Sequence, residues 1–98
     1  MTKRTDAIAV SRGAEGGQSV SASTSSVATT NAIGSDECLV LSDVACFAVT
    51  GASPTATVTN GTPIPANQLV RLHSVGADNK LAFITASGTG TVYVRPGA

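Results

Sequence analysis

Short apolar and β-branched stretches alternate with turn residues along the second half of the chain, and no segment predicts a helix. Clusters of Gly, Pro, Asn, Asp and Ser fall at residues 51–54, 60–63, 76–79 and 87–90. They separate stretches that are rich in Val, Thr, Leu and Ile. Strand-forming residues that are cut at near-regular intervals by turn signals predict a small all-β domain.

The strand predictions follow from these stretches and from alternation within them. Leu81 and Phe83 share one face of their strand, and Val92 and Val94 share one face of the last strand. Pro63 and Pro65 lack the backbone N–H that would donate to a neighbouring strand, so they mark a crossing between sheets or a sheet edge. The predicted strands cover residues 38–41, 44–50, 55–59, 68–75, 80–86 and 91–95.

Two of the connections are predicted to be hairpin turns. Residues 42–43 would join the first two strands, and residues 88–90 would join the last two. Seven or eight short strands predict a compact antiparallel β-sandwich or jelly-roll-like barrel over residues 36–98.

Residues 1–35 predict an extended N-terminal arm. This part is mostly Ala, Ser, Thr and Gly, with possible strands at residues 6–11 and 19–30. One interpretation is plain disorder at a terminus. The other is a segment that adds to a neighbouring sheet edge through main-chain hydrogen bonds. For the second interpretation, Val20 and Val27 are the candidate contact residues.

The core of so small a chain is thin. Only Phe47, Phe83 and Tyr93 are aromatic, and tryptophan is absent. Burying a Val or Leu stabilises by roughly 1.5 to 3 kcal/mol, whereas ordering one residue costs about 1 to 2 kcal/mol of backbone entropy. The favourable and unfavourable contributions to the folding free energy of a lone monomer therefore nearly cancel. Scaffolds of this size depend on disulfides, metals or oligomerisation for stability.

The cysteine and histidine counts favour oligomerisation among those three. Cys38, Cys46 and His73 are the only residues of their types, whereas a structural zinc site takes four nitrogen or sulfur ligands. A hairpin at residues 42–43 places Cys38 opposite Phe47 rather than opposite Cys46, which predicts two buried free thiols. We therefore expect a homo-oligomer, a trimer or a dimer.

The net charge and its distribution limit the classes of partner that the chain is expected to bind. Six basic and six acidic residues give a formal net charge of zero, and the basic residues are scattered rather than clustered. Without a basic stripe, nucleic acid is not an expected partner. No run approaches the ~18 apolar residues of a membrane span, so no membrane partner is expected. A charged residue, Asp6, interrupts the only signal-like segment, so we expect synthesis in the cytoplasm.

No group of residues in the sequence has the composition and spacing of a catalytic or ligand-binding site. His73 beside Ser74, with Asp78 nearby, would suggest a triad only if an oriented base and an oxyanion site were also present. Residues 88–90 are a hairpin turn rather than a phosphate loop, because no helix opens after them. The sequence therefore predicts no catalytic, cofactor-binding or metal-binding residue, and no enzyme.

A contact surface is the remaining candidate. Arg71, His73, Tyr93 and Arg95 fall on the polar faces of predicted strands. Tyr and Arg are enriched in protein interfaces, and an exposed tyrosine also suits a sugar.

Three turn motifs follow one another in residues 37–95, namely Gly51-Ala52-Ser53-Pro54-Thr55-Ala56, Gly61-Thr62-Pro63-Ile64-Pro65-Ala66 and Gly88-Thr89-Gly90. Their order resembles small virion structural proteins of tailed bacteriophages. In those proteins a strand ending in Gly leads to a Pro-Thr-Ala loop, a Gly-x-Pro-Leu-Pro-Ala crossing, a Gly-Asp-Lys-type turn and a closing Gly-Thr-Gly hairpin. The chain departs from this pattern at residues 76–80, where the turn is longer.

The resemblance implies a noncatalytic part of a virion. The first hypothesis is a capsid decoration or cement protein that stabilises contacts between subunits of the major capsid protein. An alternative is a component of the head-to-tail junction, the tail or a fibre, with another virion protein as its partner. A carbohydrate- or surface-binding module that uses Tyr93, Arg71 and His73 is the third hypothesis.

Overall fold

Eight β-strands and no helix make up the part of the chain that the structure, a computed structural model, describes, residues 17–97. The strands are β1 Gln18–Ala22, β2 Val27–Ala28, β3 Glu37–Ser42, β4 Cys46–Gly51, β5 Thr62–Ile64, β6 Val70–Leu72, β7 Lys80–Ile84 and β8 Gly90–Gly97.

The strands form two four-stranded antiparallel sheets. The first sheet has the order β1-β8-β3-β6, and the second has the order β2-β7-β4-β5. Strand β1 pairs with β8, β2 with β7, β3 with β6, and β4 with β5, so the partners are nested as in one long hairpin that has been folded over. This is the strand order of a jelly roll, and the predicted all-β antiparallel sandwich is confirmed.

The core lies between the two sheets and is built from alternate residues of their strands. In β8, Val92 and Val94 are fully buried while Tyr93 between them is exposed, as the alternation predicted. Phe83 is the largest fully buried side chain. Around it pack small and medium residues: Val20, Ala22, Ile33, Cys38, Val40, Cys46, Ala48, Ile64, Val75, Leu81, Val92 and Val94.

The two predicted hairpins are wrong. Strands β3 and β4 belong to different sheets, as do β7 and β8, so Cys38 lies opposite Leu72 and Pro96 rather than opposite Phe47. Both turns carry the chain across the sandwich. β3 and β4 are each an inner strand of their own sheet, with a neighbour on both edges.

One local and one long-range hydrogen bond hold the first of these crossings. Ser42 Oγ donates to the Val44 carbonyl, and Asp43 Oδ1 accepts from the Thr91 N–H at 2.8 Å. A Cβ atom at position 90 would collide with the side chains of Asp43 and Val44, so Gly90 is what allows this close approach.

Two predicted strands differ from the structure in extent. Residues 55–59 form no strand, and residues 58–60 are a turn, in which Asn60 Oδ1 accepts from the Thr57 N–H at 2.8 Å and the Thr57 hydroxyl accepts from the Asn60 N–H at 3.1 Å. Such side-chain bonds compete with a strand ladder. The strand expected over residues 68–75 shortens to β6, since Ser74 has a positive φ of 61°.

Part of the predicted arm is built into the sandwich. Residues 18–22 and 27–28 are β1 and β2, each at an edge of one sheet of this chain, so the expected boundary between residues 35 and 36 separates no structural unit there. The Gln18 side chain links the start of β1 to the segment that follows β2. Its amide nitrogen donates to the Asn31 carbonyl and its oxygen accepts from the Asn31 N–H, both at 3.0 Å. Residues 1–16, including the possible strand at residues 6–11, lie outside the described residues.

We predict that Phe83→Ala lowers the free energy of unfolding by about 3 to 5 kcal/mol, because the only aromatic ring in a core of small side chains leaves a cavity that they cannot fill. Val58→Ala is the control, since Val58 is 46% exposed, and we expect a change within about 0.5 kcal/mol. Urea denaturation followed by circular dichroism measures both. Equal losses in the two variants would contradict this packing of the core.

Candidate functional site

The outer face of the first sheet carries the largest set of candidate contact residues in the described part of the chain. Alternation in β3, β6 and β8 turns one side chain in two away from the core and onto this surface. We call it the tyrosine face, and it consists of Glu37, Leu39, Leu41, Arg71, Tyr93 and Arg95.

Tyr93 and Leu41 form the most exposed apolar part of the tyrosine face. They lie opposite each other in the β3–β8 register, and they are 43% and 38% exposed. A tyrosine offers a large, rigid ring with a polar hydroxyl, and such a side chain contributes contact area at low conformational cost. The pair is therefore suited to contact a partner without rearrangement of the sheet.

Arg95 is held beside Tyr93 in a fixed position. Its Nη1 atom donates to the carbonyls of Gln18 and Val94, both at 3.0 Å, and its Cζ atom lies 6.0 Å from the centre of the Tyr93 ring. A Cβ atom at Gly17 would lie 2.7 Å from Arg95 Cδ, so the glycine makes room for the side chain. The cation is thereby ordered against the aromatic ring before any partner arrives.

Leu39 and a surface ion pair complete the face on the β6 side. The register places Leu39 between Arg95 and Arg71, and the leucine is only 7% exposed although it lies outside the core. Long arginine stems cover apolar surface in this way. Arg71 Nη1 lies 3.3 Å from Glu37 Oε1, with both side chains more than a third exposed, so the pair contributes orientation more than stability.

His73 lies apart from the other candidates. Its Nδ1 atom is 3.0 Å from Ser74 Oγ, and its side chain lines a cavity of about 80 Å³ with residues of β4, β5 and β7. The structure therefore brings together Arg71, Tyr93 and Arg95 and places His73 at a different site.

Val20 and Val27 were predicted as contact residues of an arm, and the structure places both in the core. Val20 is 5% exposed, and Val27 is half-buried against the same cluster. Both belong to strands that complete the two sheets, so their apolar side chains face inward rather than toward a partner.

Sequence reasoning missed Leu39 and Leu41 as surface residues. Their stretch, residues 38–41, is uniformly apolar and shows no alternation. No local signal in this stretch separates the outward residues from the inward ones, because the outer face is set by the position of β3 between β8 and β6.

The cysteines are buried and unpaired, as predicted. Burial raises the pKa of the Cys38 thiol from 9.0 to about 11. Burial also raises the pKa of Cys46, and a hydrogen bond with Ser42 opposes part of that rise. Protonated buried thiols are poor nucleophiles, so both act as small core residues.

Metal-binding clusters and membrane-spanning helices are both absent from residues 17–97. No group of three or more His, Cys, Asp or Glu side chains in that range is placed to hold a metal ion. The same range contains no helix with the length and hydropathy that a membrane crossing requires.

Comparison of the chain with protein-family models, with curated proteins and with solved structures gave no match.

We predict that the Cys38 thiol makes the fold less stable in alkali. The unfolded chain releases this proton above pH 9.0, whereas the folded chain keeps it up to about pH 11, so the stability present below pH 9.0 is lost as the pH rises through 11. The loss is on the order of 2 kcal/mol.

Urea denaturation of the wild type and of Cys38→Ala between these pH values isolates the contribution. We expect the difference in free energy of unfolding between the two proteins to shift in favour of the variant as the pH rises. A difference that stays constant with pH would show that Cys38 does not keep its proton through burial.

Proposed function

We propose that this chain is a noncatalytic structural protein of a tailed-phage virion, and that it decorates the capsid and stabilises contacts between subunits of the major capsid protein. The observation that carries the proposal is the tyrosine face, a rigid sheet surface on which an exposed Tyr93–Leu41 pair lies beside an ordered arginine. A decoration protein needs such a preformed contact surface more than it needs a pocket.

The fold supports the same class of function by analogy. Jelly rolls of eight strands recur in viral capsid and lectin domains. A fold by itself does not determine a function. The turn motifs that resemble those of virion proteins are a second, separate ground for the proposal. Both point to a binding or structural role.

The chemistry of the tyrosine face suits a protein partner. Aromatic and arginine side chains at the centre of a patch, surrounded by small polar residues, have the composition of interface hot spots. In this chain the surrounding residues include Ser19 and Ser21 of β1, which lie opposite Tyr93 and Thr91 and add no bulk. A flat partner surface can therefore approach the ring closely.

The thin core supports a role on a lattice. A partner that binds only the folded state stabilises it by mass action, by about 2.7 kcal/mol at a hundredfold excess over the dissociation constant. The same increment is a larger fraction of the stability of a domain whose core holds one buried aromatic ring than of a domain with a large core.

We predict that Tyr93→Ala reduces the occupancy of the protein on empty capsids at least tenfold, because truncation of a central aromatic residue in an interface costs about 2 kcal/mol or more. Val58→Ala is the matched control, since Val58 is exposed to a similar degree, 46% against 43%, but lies on the β4–β5 connection. Co-sedimentation with capsids of the phage that encodes the chain measures both variants.

Equal occupancy of Tyr93→Ala and the wild type on capsids would show that the tyrosine face does not contact the capsid. Absence of the chain from purified particles, by quantitative mass spectrometry, would contradict the proposal as a whole. A copy number close to the number of capsomer junctions is expected for decoration, whereas a few copies per particle would favour the alternative site at the head-to-tail junction, the tail or a fibre.

A carbohydrate-binding module is the second candidate, and the exposed Tyr93 ring favours it. A sugar ring can stack on an exposed aromatic side chain while arginines donate to its hydroxyl groups. Glycan-array binding by the wild type that is lost in Tyr93→Ala, without any binding to capsids, would support this candidate over the first.

A further inference from the structure

The edges of the two sheets are not equally protected against pairing with another strand. In the described residues, β1 and β6 border the first sheet, and β2 and β5 border the second. Strand β2 has only two residues, β5 contains Pro63, which lacks an N–H, and the three-residue β6 carries a charged Arg71. Short length, proline and charge are the usual means by which proteins block sheet edges.

β1 has none of these protections. It is five residues long, contains Gln, Ser, Val and Ala only, and carries neither proline nor charge. Its exposed residues are Ser19 and Ser21, which have small side chains that do not obstruct an approaching strand. β1 is therefore the open edge of the sandwich within residues 17–97.

The hydrogen-bond pattern identifies which backbone groups this edge offers. The Thr91 carbonyl accepts from the Asp43 N–H at 3.2 Å, so Thr91 directs its backbone groups toward the β3 side. Backbone groups alternate between the two sides of a strand, so those of Val92 and Val94 point toward β1.

The register then fixes the orientation of β1. Val92 and Val94 pair with Val20 and Gln18, so the backbone groups of those two residues are used within the sheet. The N–H and C=O groups of Ser19 and Ser21 point the other way, out of the sheet edge. The edge therefore presents two donors and two acceptors, in a pattern that is complementary to itself after rotation by 180°.

We propose that two copies of this chain associate through antiparallel pairing of β1 with the partner's β1, centred on Val20. In this register Ser19 exchanges two hydrogen bonds with the partner's Ser21, and Ser21 exchanges two with the partner's Ser19. All four outward groups of each copy are used, and the contact is closed and isologous. The first sheets join into one sheet of eight strands, within the range that sheets reach in proteins.

The occupant is a second copy because the edge matches itself in hydrogen bonding, length and charge. A neutral strand meets its own copy without repulsion, and Val20 meets the partner's Val20 on the core side of the joined sheet. The thin core supplies a reason for the association, because small domains gain stability from oligomerisation. This inference does not rest on the proposed function. If both hold, the dimer presents two tyrosine faces on the same side of one sheet, which strengthens attachment to a lattice through multivalency.

The test measures the mass of the full chain by analytical ultracentrifugation over a range of concentrations. We expect a dimer for the wild type and for Ser21→Ala, which removes only the hydroxyl. Ser21→Pro removes two of the four intermolecular bonds, so its dissociation constant should rise roughly tenfold to a hundredfold. Proline is tolerated at an outward position of an edge strand, as Pro63 is in β5.

Amide hydrogen exchange of the wild type gives a second readout that needs no variant. The Ser19 and Ser21 amides should become protected as the protein concentration rises through the dimerisation range. A chain that stays monomeric, a Ser21→Pro variant that folds by circular dichroism and still dimerises fully, or protection that does not depend on concentration would each overturn the proposal. The last outcome would mean that the edge is occupied from within the same chain.

Discussion

The position of β8 between β1 and β3 is the interaction on which the rest of the molecule depends. This strand makes two of the three ladders of the first sheet, pairing with β1 from Gln18 to Ala22 and with β3 from Glu37 to Ser42. Its inward residues Val92 and Val94 are core residues, and its outward residues Tyr93 and Arg95 are the centre of the candidate surface. One strand therefore contributes to the first sheet, to the core and to the candidate contact surface.

The same arrangement explains how so small a core can hold a defined structure. Two sheets are closed against each other by side chains of modest size around one phenylalanine, and the buried polar residues Ser42 and Thr85 bond to nearby carbonyls. No buried side-chain nitrogen or oxygen atom among the described residues lacks a partner. Full satisfaction of buried polar groups matters most where the apolar contribution is small.

Sequence patterns predicted local features well and long-range pairing poorly. The alternation at Leu81 and Phe83, and at Val92 and Val94, gave the correct inward faces, because alternation depends only on the backbone of one strand. The turns after β3 and β7 were located correctly and interpreted wrongly. Turn residues mark where a chain reverses, whereas the choice between a hairpin and a crossing depends on distant partners such as Thr91 for Asp43.

The candidate surface shows the same division. Arg71, Tyr93 and Arg95 could be named from alternation, but their meeting with Leu39 and Leu41 follows from the β6-β3-β8 order, which no local signal encodes. Electron cryomicroscopy of the tailed-phage particle in which we propose that the chain resides tests the central claim most directly. The account predicts jelly-roll density at the capsomer junctions with the outer face of the first sheet, and Tyr93 within it, against the major capsid protein. Density that turns this sheet toward solvent, or capsids without the jelly roll, would contradict it.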